Sequence, residues 1–230
     1  MKNYISKLTA ALSPAQLKAR AGVKQVVVSF AETWGFVYFG SMSQHDEDAH
    51  VVRGVTLSVD HQDSHICVGS NGGYDIAFTE RRNQLIVTPG NYCTSHTWHI
   101  MEFDLHTTKD LPHTFISFHD KNESIFRQLF TKFPALRPIK MGALHPYPPQ
   151  FISNYLIYTR PSNAILVERI LSPETADMIA KHFGTLSIEI TKNALYIYSE
   201  HAKLSAQLLE TLLKNGVWLA AQIDKSAKEL

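Results

Sequence analysis

Twelve histidines stand out in this 230-residue chain, and nine of them (His45, His50, His61, His65, His96, His99, His106, His113 and His119) fall between positions 45 and 119. Imidazole titrates near neutrality, moves protons and ligates metals, so this region is where catalysis or metal binding is first sought. The loop Gln44 to His50 sets His45 and His50 beside Asp46, Glu47 and Asp48. His45, Asp46, Asp48 and His50 are donors that zinc or manganese accepts, but a structural zinc site uses four fixed donors at ordered spacing such as Cys-x2-Cys. The competing reading is a solvated acidic turn between strands. A second set, Glu102, Asp104 and His106, occupies i, i+2 and i+4 of a β-type run, which would put all three on one strand face. A carboxylate beside an imidazole orients a general base or a metal-bound histidine, and an exposed polar strand face is written with the same letters.

Other groupings are less specific. His61 and His65 have the four-residue spacing of a helical ligand pair, but Asp60 to Ser64 reads as a turn. Gly69-Ser70-Asn71-Gly72-Gly73-Tyr74-Asp75 is glycine-rich without the Lys-Ser/Thr of a P-loop or the spacing of a dinucleotide fingerprint, so a β-turn is expected. Tyr74, Phe78, Arg81 and Arg82 mix aromatic and basic groups, the minimum for stacking on single-stranded nucleic acid. Cys67 sits in an apolar β-type run where a buried inert thiol is expected, while Cys93 has His96 three residues away.

The elements that must position these groups follow from the pattern. A 44% apolar, 19% charged chain with net charge +1 has the composition of an ordinary globule, and excludes disorder, coiled coil and collagen. No whole-chain field draws it to nucleic acid or an anionic membrane. Two cysteines build no disulfide framework, the N-terminus lacks a convincing signal or transit peptide, and apolar stretches stop short of the roughly 20 residues of a membrane helix; a cytoplasmic location is expected. Ser13-Pro14 opens a helix whose Val23, Val27, Phe30 and Trp34 share one face up to Gly35, with a strand over Val26 to Phe30 as the competing reading. Lys2, Lys7, Lys18, Arg20 and Lys24 make this start basic, which reads first as a solvated helix face and second as a membrane or nucleic-acid contact.

From Gly35 to His119 short β-type runs are expected at 36–40, 51–59, 64–68, 74–79, 84–88, 96–105 and 113–118, joined by turns too short for helical crossovers, hence a mostly antiparallel sheet. In the strand from 96 to 105, His99, Met101, Phe103 and Leu105 face the core. A capping-box-like Asp120 to Glu123 starts a helix ended by Pro134. Five prolines between 134 and 149 mark a connection or a long ordered loop. Beyond it come a strand at 154–159, a helix capped by Ser172-Pro173-Glu174 and ended by Gly184, a hairpin turning at Lys192-Asn193, and a closing helix. Gly216 on the apolar stripe of that helix admits the close approach of another element. The fold class is α+β, with a mostly antiparallel sheet in the first half, strand/helix alternation and a long closing helix in the second. The divisions are 1–133, a Pro-rich connection at 134–153, and 154–230, with one compact domain as the alternative.

Arg53 to Ser58, Gly72-Gly73-Tyr74-Asp75, Thr79-Glu80-Arg81 and Leu111-Pro112-His113 give a layout that resembles uncharacterised proteins of Saccharibacteria-type candidate-phyla bacteria. The last 80 residues resemble the C-terminal part of a bacterial family of unknown function whose members often carry membrane helices, which this chain lacks. The resemblance implies binding or structure rather than catalysis and supplies no site residues. The expected function is a non-enzymatic binding or structural module for a protein partner or small ligand, with no cofactor. The alternatives are a metal-assisted hydrolase holding a divalent metal in the histidine-rich region 45–119, and nucleic-acid binding, which the charge balance disfavours.

Overall fold

The computed structural model describes residues 14–41, 61–87, 92–118, 135–200 and 203–230. Helix α1 (Pro14–Trp34) settles the competition over Val26 to Phe30 in favour of helix. Tertiary packing decides it: Val27, Phe30 and Ala31 are buried, and β-branched residues tolerate a helix when one face is covered. Gly35 ends α1 at φ +74, and the Phe36 amide donates back to the Ala31 carbonyl at 2.8 Å, a Schellman closure.

Nine strands follow: β1 (Val37–Gly40), β2 (His61–Asn71), β3 (Tyr74–Val87), β4 (Tyr92–Asp104), β5 (Leu111–Phe118), β6 (Arg137–Ile139), β7 (Tyr155–Thr159), β8 (Ser187–Lys192) and β9 (Ala194–Glu200). They form one sheet in the order β1-β2-β3-β4-β9-β8-β5-β7-β6, antiparallel at every junction. The β8–β9 hairpin lies between β4 and β5, so residues on both sides of the Pro-rich segment share one sheet. The runs expected at 74–79 and 84–88 are one continuous strand. Of the turn expected at Asp60 to Ser64, the described residues His61 to Ser64 are strand, because they pair with Asn83 to Glu80. The expected strand at 51–59, the helix after Asp120, His119 and the basic residues before Pro14 lie outside the described residues.

Among the described residues, the remaining helices are α2 (Pro149–Asn154), α3 (Ala164–Ile170), α4 (Pro173–His182) and α5 (Ala206–Lys228), with a 3-10 turn at Pro161–Asn163. Ser172 and Ser205 cap α4 and α5, accepting from the Thr175 and Leu208 amides. One sheet face carries Cys67, Phe78, Met101, Ile197, Ile188, Ile116 and Ile157 in a single core with Val27 of α1, Ile179 of α4 and Leu212, Leu219 and Ile223 of α5. Within this core, burial pushes the Cys67 thiol up to about 12, the inert behaviour its apolar run implied. The hairpin β8–β9 departs from simple alternation: Ser187 and Glu189 are buried along with Ile188 and Ile190, so both faces of these central strands are covered.

Two glycine positions set the docking of α5. Asn71-Gly72-Gly73-Tyr74 closes β2 onto β3 with both glycines at positive φ, a two-residue turn that β-carbons disfavour, and a Cβ on Gly72 would sit 2.5 Å from Val217 Cγ1. Gly216 faces Phe103, whose ring would lie 1.9 Å from an added Cβ. The Gly216→Ala variant gains about 1 kcal/mol of helix propensity. The Phe103 ring is fully buried in a close-packed core, so a net loss of about 2 kcal/mol is expected from overpacking. Chemical denaturation checks it, and an unchanged midpoint would mean that the ring rotates away at no cost.

Candidate functional site

On β2 the register with β3 runs Gln62↔Arg82, Asp63↔Arg81 and Ser64↔Glu80, then resumes at Cys67↔Phe78, so His65 and Ile66 together oppose the one residue Thr79. This is a β-bulge, and the extra residue resets the alternation so that Gln62 and Ser64 share a face with Cys67. Its first residue has φ +56. Glycine is the usual occupant of that left-handed position, and a side chain with a β-carbon there costs of order 1 kcal/mol. Here the occupant is a histidine.

His65 Nδ1 is 3.0 Å from the Tyr38 hydroxyl of β1. Burial, and then the neighbouring Cys67, hold the Tyr38 pKa above its ordinary value, so the hydroxyl keeps its proton and can donate to Nδ1. Arg82, on the next strand, is fixed from behind: its Nε and Nη2 donate to Oε1 of Glu80 at 3.2 and 2.8 Å. Glu80 is 2% exposed. Burial alone would raise its pKa, but the hydrogen bond with His99 and the charge and hydrogen bonds of Arg82 bring it below its ordinary value. His99 lies with Nε2 3.6 Å from the other Glu80 oxygen, and its Nδ1 is buried without a hydrogen-bond partner among the described residues. The adjacent Arg81, on the opposite face of β3, makes a bidentate pair with Asp63 at 2.7 and 2.6 Å.

Helix α1 crosses this end of the sheet and brings Lys24 over it. Between them lies a cleft of about 440 Å³ lined by Ala21 and Lys24 of α1, Tyr38 and Gly40 of β1, Ser41, Gln62, Ser64 and His65 of β2, and Arg82 of β3. The walls supply cationic and neutral donors, and among the described residues no carboxylate lines it.

The residues singled out from sequence fall elsewhere. Glu102 and Asp104 do share a strand face and line a second groove of about 490 Å³ with Asp75, Tyr196 and Lys192. Glu102 accepts from the Tyr196 hydroxyl at 3.0 Å. His106 is not on that face, because β4 stops at Asp104 and the chain turns toward α5. Its ring stacks on Tyr74 at 4.5 Å, and its Nε2 is 3.0 Å from the Gly73 carbonyl. The three therefore do not form one constellation. His45, Asp46, Asp48 and His50 lie outside the described residues, and so do the side chains of His61, Cys93 and His96. Among the described residues no three His, Cys, Asp or Glu side chains are grouped to hold a metal ion. The aromatic and basic set from Tyr74 to Arg82 is no stacking surface: Tyr74 and Phe78 are buried, and both arginines are paired with carboxylates.

Buried carboxylate centres that the sequence reading missed include Glu189 and Glu168. Glu189 lies between His113 Nε2, at 2.7 Å, and the Tyr198 hydroxyl, which donates to its other oxygen. Glu168 of α3 accepts from three consecutive backbone amides, Gly142, Ala143 and Leu144, at 2.8 to 2.9 Å. No local sequence signal marks either, because the partners are 76 and about 25 residues away.

These observations define an α+β protein built on one antiparallel sheet, with helices packed on its core and a cationic cleft beside its first strands. No protein-family model and no curated protein sequence matches the chain. Among solved structures, the fold is similar to the crystal structure of the mycobacterial trehalose monomycolate transport factor A, TtfA, with a TM-score of 0.58 over 89% of this chain and 94% of that one. The two sequences are 9% identical, so the likeness is one of fold. No described helix is long and apolar enough to cross a membrane.

Proposed function

We propose that this protein is a non-enzymatic binding module and that the cleft between α1, β1, β2 and β3 is its binding site. The observation that carries the reading is His65. A histidine held at positive φ in a bulge, where glycine would be easier, is a local cost concentrated at the wall of a cavity, and such strain gathers at functional positions. The cavity, about 440 Å³, falls in the size range of small-molecule sites, about 300 to 1,000 Å³. The buried carboxylates support a structural division of labour. Glu168 and Asp224 are engaged by backbone amides, and Glu80 and Glu189 by neighbouring side chains. Each of these groups has a role in holding the chain together. The fold likeness to a transport factor is compatible with a binding role.

A fragment screen by amide and imidazole NMR tests the reading. Fragments should perturb resonances of Lys24, Tyr38, His65 and Arg82 together, and the purified protein should turn over none of them. Perturbations that never cluster on this cleft would remove it as the site. Turnover abolished by a single polar substitution, with a stoichiometric metal found after gentle purification, would replace the binding module with the metal-assisted hydrolase.

A further inference from the structure

We infer that the sheet edge formed by β6, the turn after it and α3 docks on an anionic lipid surface; this goes beyond the cleft and does not rest on it. β6 is the last strand in the sheet order, and Arg137 at its start and Lys140 just past its end are exposed. Arg137 is in register with Thr159, so the exposed Arg160 follows beside it and leads through the 3-10 turn into α3. Arg169 is exposed on α3 itself. Among the described residues none of these four cations has an ion-pair partner.

Glu168 is what leaves this surface cationic. It is the one carboxylate of α3 and the chain neighbour of Arg169, yet it is 1% exposed. The Gly142, Ala143 and Leu144 amides reach it at 2.8 to 2.9 Å, so its charge is spent on backbone donors, and the same bonds fasten the turn against α3. Two aliphatic side chains are thereby held at the surface among the cations. Leu144, whose own amide makes one of those bonds, is 40% exposed, and Ile165, one helical turn before Arg169, is 42% exposed. Ile165 and Arg169 stand at i and i+4, which makes them neighbours on the outer face of α3. Glu174, a carboxylate beside His145 of this turn, is held to Ser172 and to its own amide at the start of α4.

Charges and a proline on an edge strand also discourage pairing with another sheet, but that does not account for the aliphatic groups. Leucine and isoleucine offer no ring on which the bases of a single-stranded nucleic acid stack. A folded acidic partner would have to mould a pocket around two projections, one on a turn and one on a helix, neither of which lines the two clefts described above. A fluid interface takes them as they stand, with aliphatic groups at the acyl boundary and Lys and Arg among anionic headgroups. The net charge of +1 does not oppose this, because attraction to a membrane surface falls off within a Debye length and is set by the cations nearest to it.

The test sediments the full chain with vesicles of phosphatidylglycerol in phosphatidylcholine and of phosphatidylcholine alone, at low and high salt. Saturable binding to the anionic vesicles is expected, weakened by salt, with little binding to the neutral ones. Arg160→Gln/Arg169→Gln should weaken it about 25-fold, roughly fivefold per charge. Leu144→Ser/Ile165→Ser keeps every cation and should still weaken it about tenfold, through lost apolar burial. All four positions are exposed, so unchanged urea midpoints should show that the folds are intact. Lys18→Gln/Arg20→Gln, in the basic start of α1, should leave binding within about twofold of wild type. No sedimentation with anionic vesicles overturns the inference. Loss in the Lys18→Gln/Arg20→Gln variant but not in Arg160→Gln/Arg169→Gln also overturns it, because α1 would then make the contact. Indifference to Leu144→Ser/Ile165→Ser would reduce the site to bare charge and overturn the insertion. Binding to poly-glutamate that needs Arg160 and Arg169, with no vesicle binding, would replace the lipid surface by an acidic polypeptide.

Discussion

Replacing Asp224 by alanine is expected to remove about 3 to 4 kcal/mol of stability, a large part of the 5 to 15 kcal/mol that holds a typical domain together. Asp224 is 6% exposed on α5 and accepts three hydrogen bonds from two distant parts of the chain. The Tyr74 hydroxyl reaches Oδ2 at 2.9 Å, the His106 amide reaches Oδ2 at 3.1 Å, and the Thr107 amide reaches Oδ1 at 3.0 Å. One carboxylate thereby fastens the closing helix to the β2–β3 turn and to the chain leaving β4. Alanine leaves three donors in a part-buried site, each losing a bond to a charged acceptor worth roughly 1.5 to 3 kcal/mol, partly recovered by water. Removing only the Tyr74 hydroxyl should cost about 1 kcal/mol, and the double variant Asp224→Ala/Tyr74→Phe should lose less than the sum, since one bond is shared. Urea denaturation of the four proteins measures all of this. An Asp224→Ala loss below about 1 kcal/mol would show that α5 is held by its apolar stripe alone.

The second large effect is at Glu168, and it carries a pH dependence. Burial pushes this carboxyl up, but hydrogen bonds from the Leu144, Ala143, Gly142 and His145 amides pull it down by more, so its folded-state pKa lies below the ordinary value. A lowered folded-state value means that the unfolded chain binds the proton more readily. The stability from Glu168 is therefore complete above the ordinary carboxylate range, about pH 4.3, and is lost as pH falls through the folded-state value. Glu168→Gln should cost about 2 kcal/mol at neutral pH, because an amide offers one weaker acceptor where two charged oxygens held the amides of this turn. As the solution is acidified the wild-type advantage should shrink, and the two stability curves should converge. Denaturation across pH 3 to 7 checks both parts; a gap constant with pH would mean that the carboxylate's charge contributes nothing.

The same residue explains the Pro-rich segment. Five prolines between 134 and 149 read as a connection or an ordered loop. Within it β6 pairs with β7, Glu168 binds the turn after it, and the Tyr147 hydroxyl donates to the Leu171 carbonyl. Proline spacing cannot reveal which distant carboxylate satisfies the amides between the prolines.

Sequence alone determined the α+β class, the antiparallel pattern, the cap at Ser172 and the apolar stripe of α5, because capping and periodicity are local properties that a few neighbouring residues express. It placed His99, Met101, Phe103 and Leu105 on one core-facing row, where burial finds all four although β4 ends at Asp104, and it marked Gly216 as a point of close approach. It also touched every charged member of the cleft, each in a different setting: Lys24 in a basic helix start, His65 as half of a spaced pair, Arg82 in a stacking patch. What joined them was decided only by tertiary structure. The bulge that turns His65 is defined by its register against Thr79, and a left-handed residue other than glycine leaves no mark in the letters. Glu102, Asp104 and His106 separated for the converse reason: their i, i+2, i+4 spacing places them on one face only while the strand continues, and hydrogen bonds from His106 and Thr107 to Asp224 of α5, 118 and 117 residues away, mark where the chain leaves it.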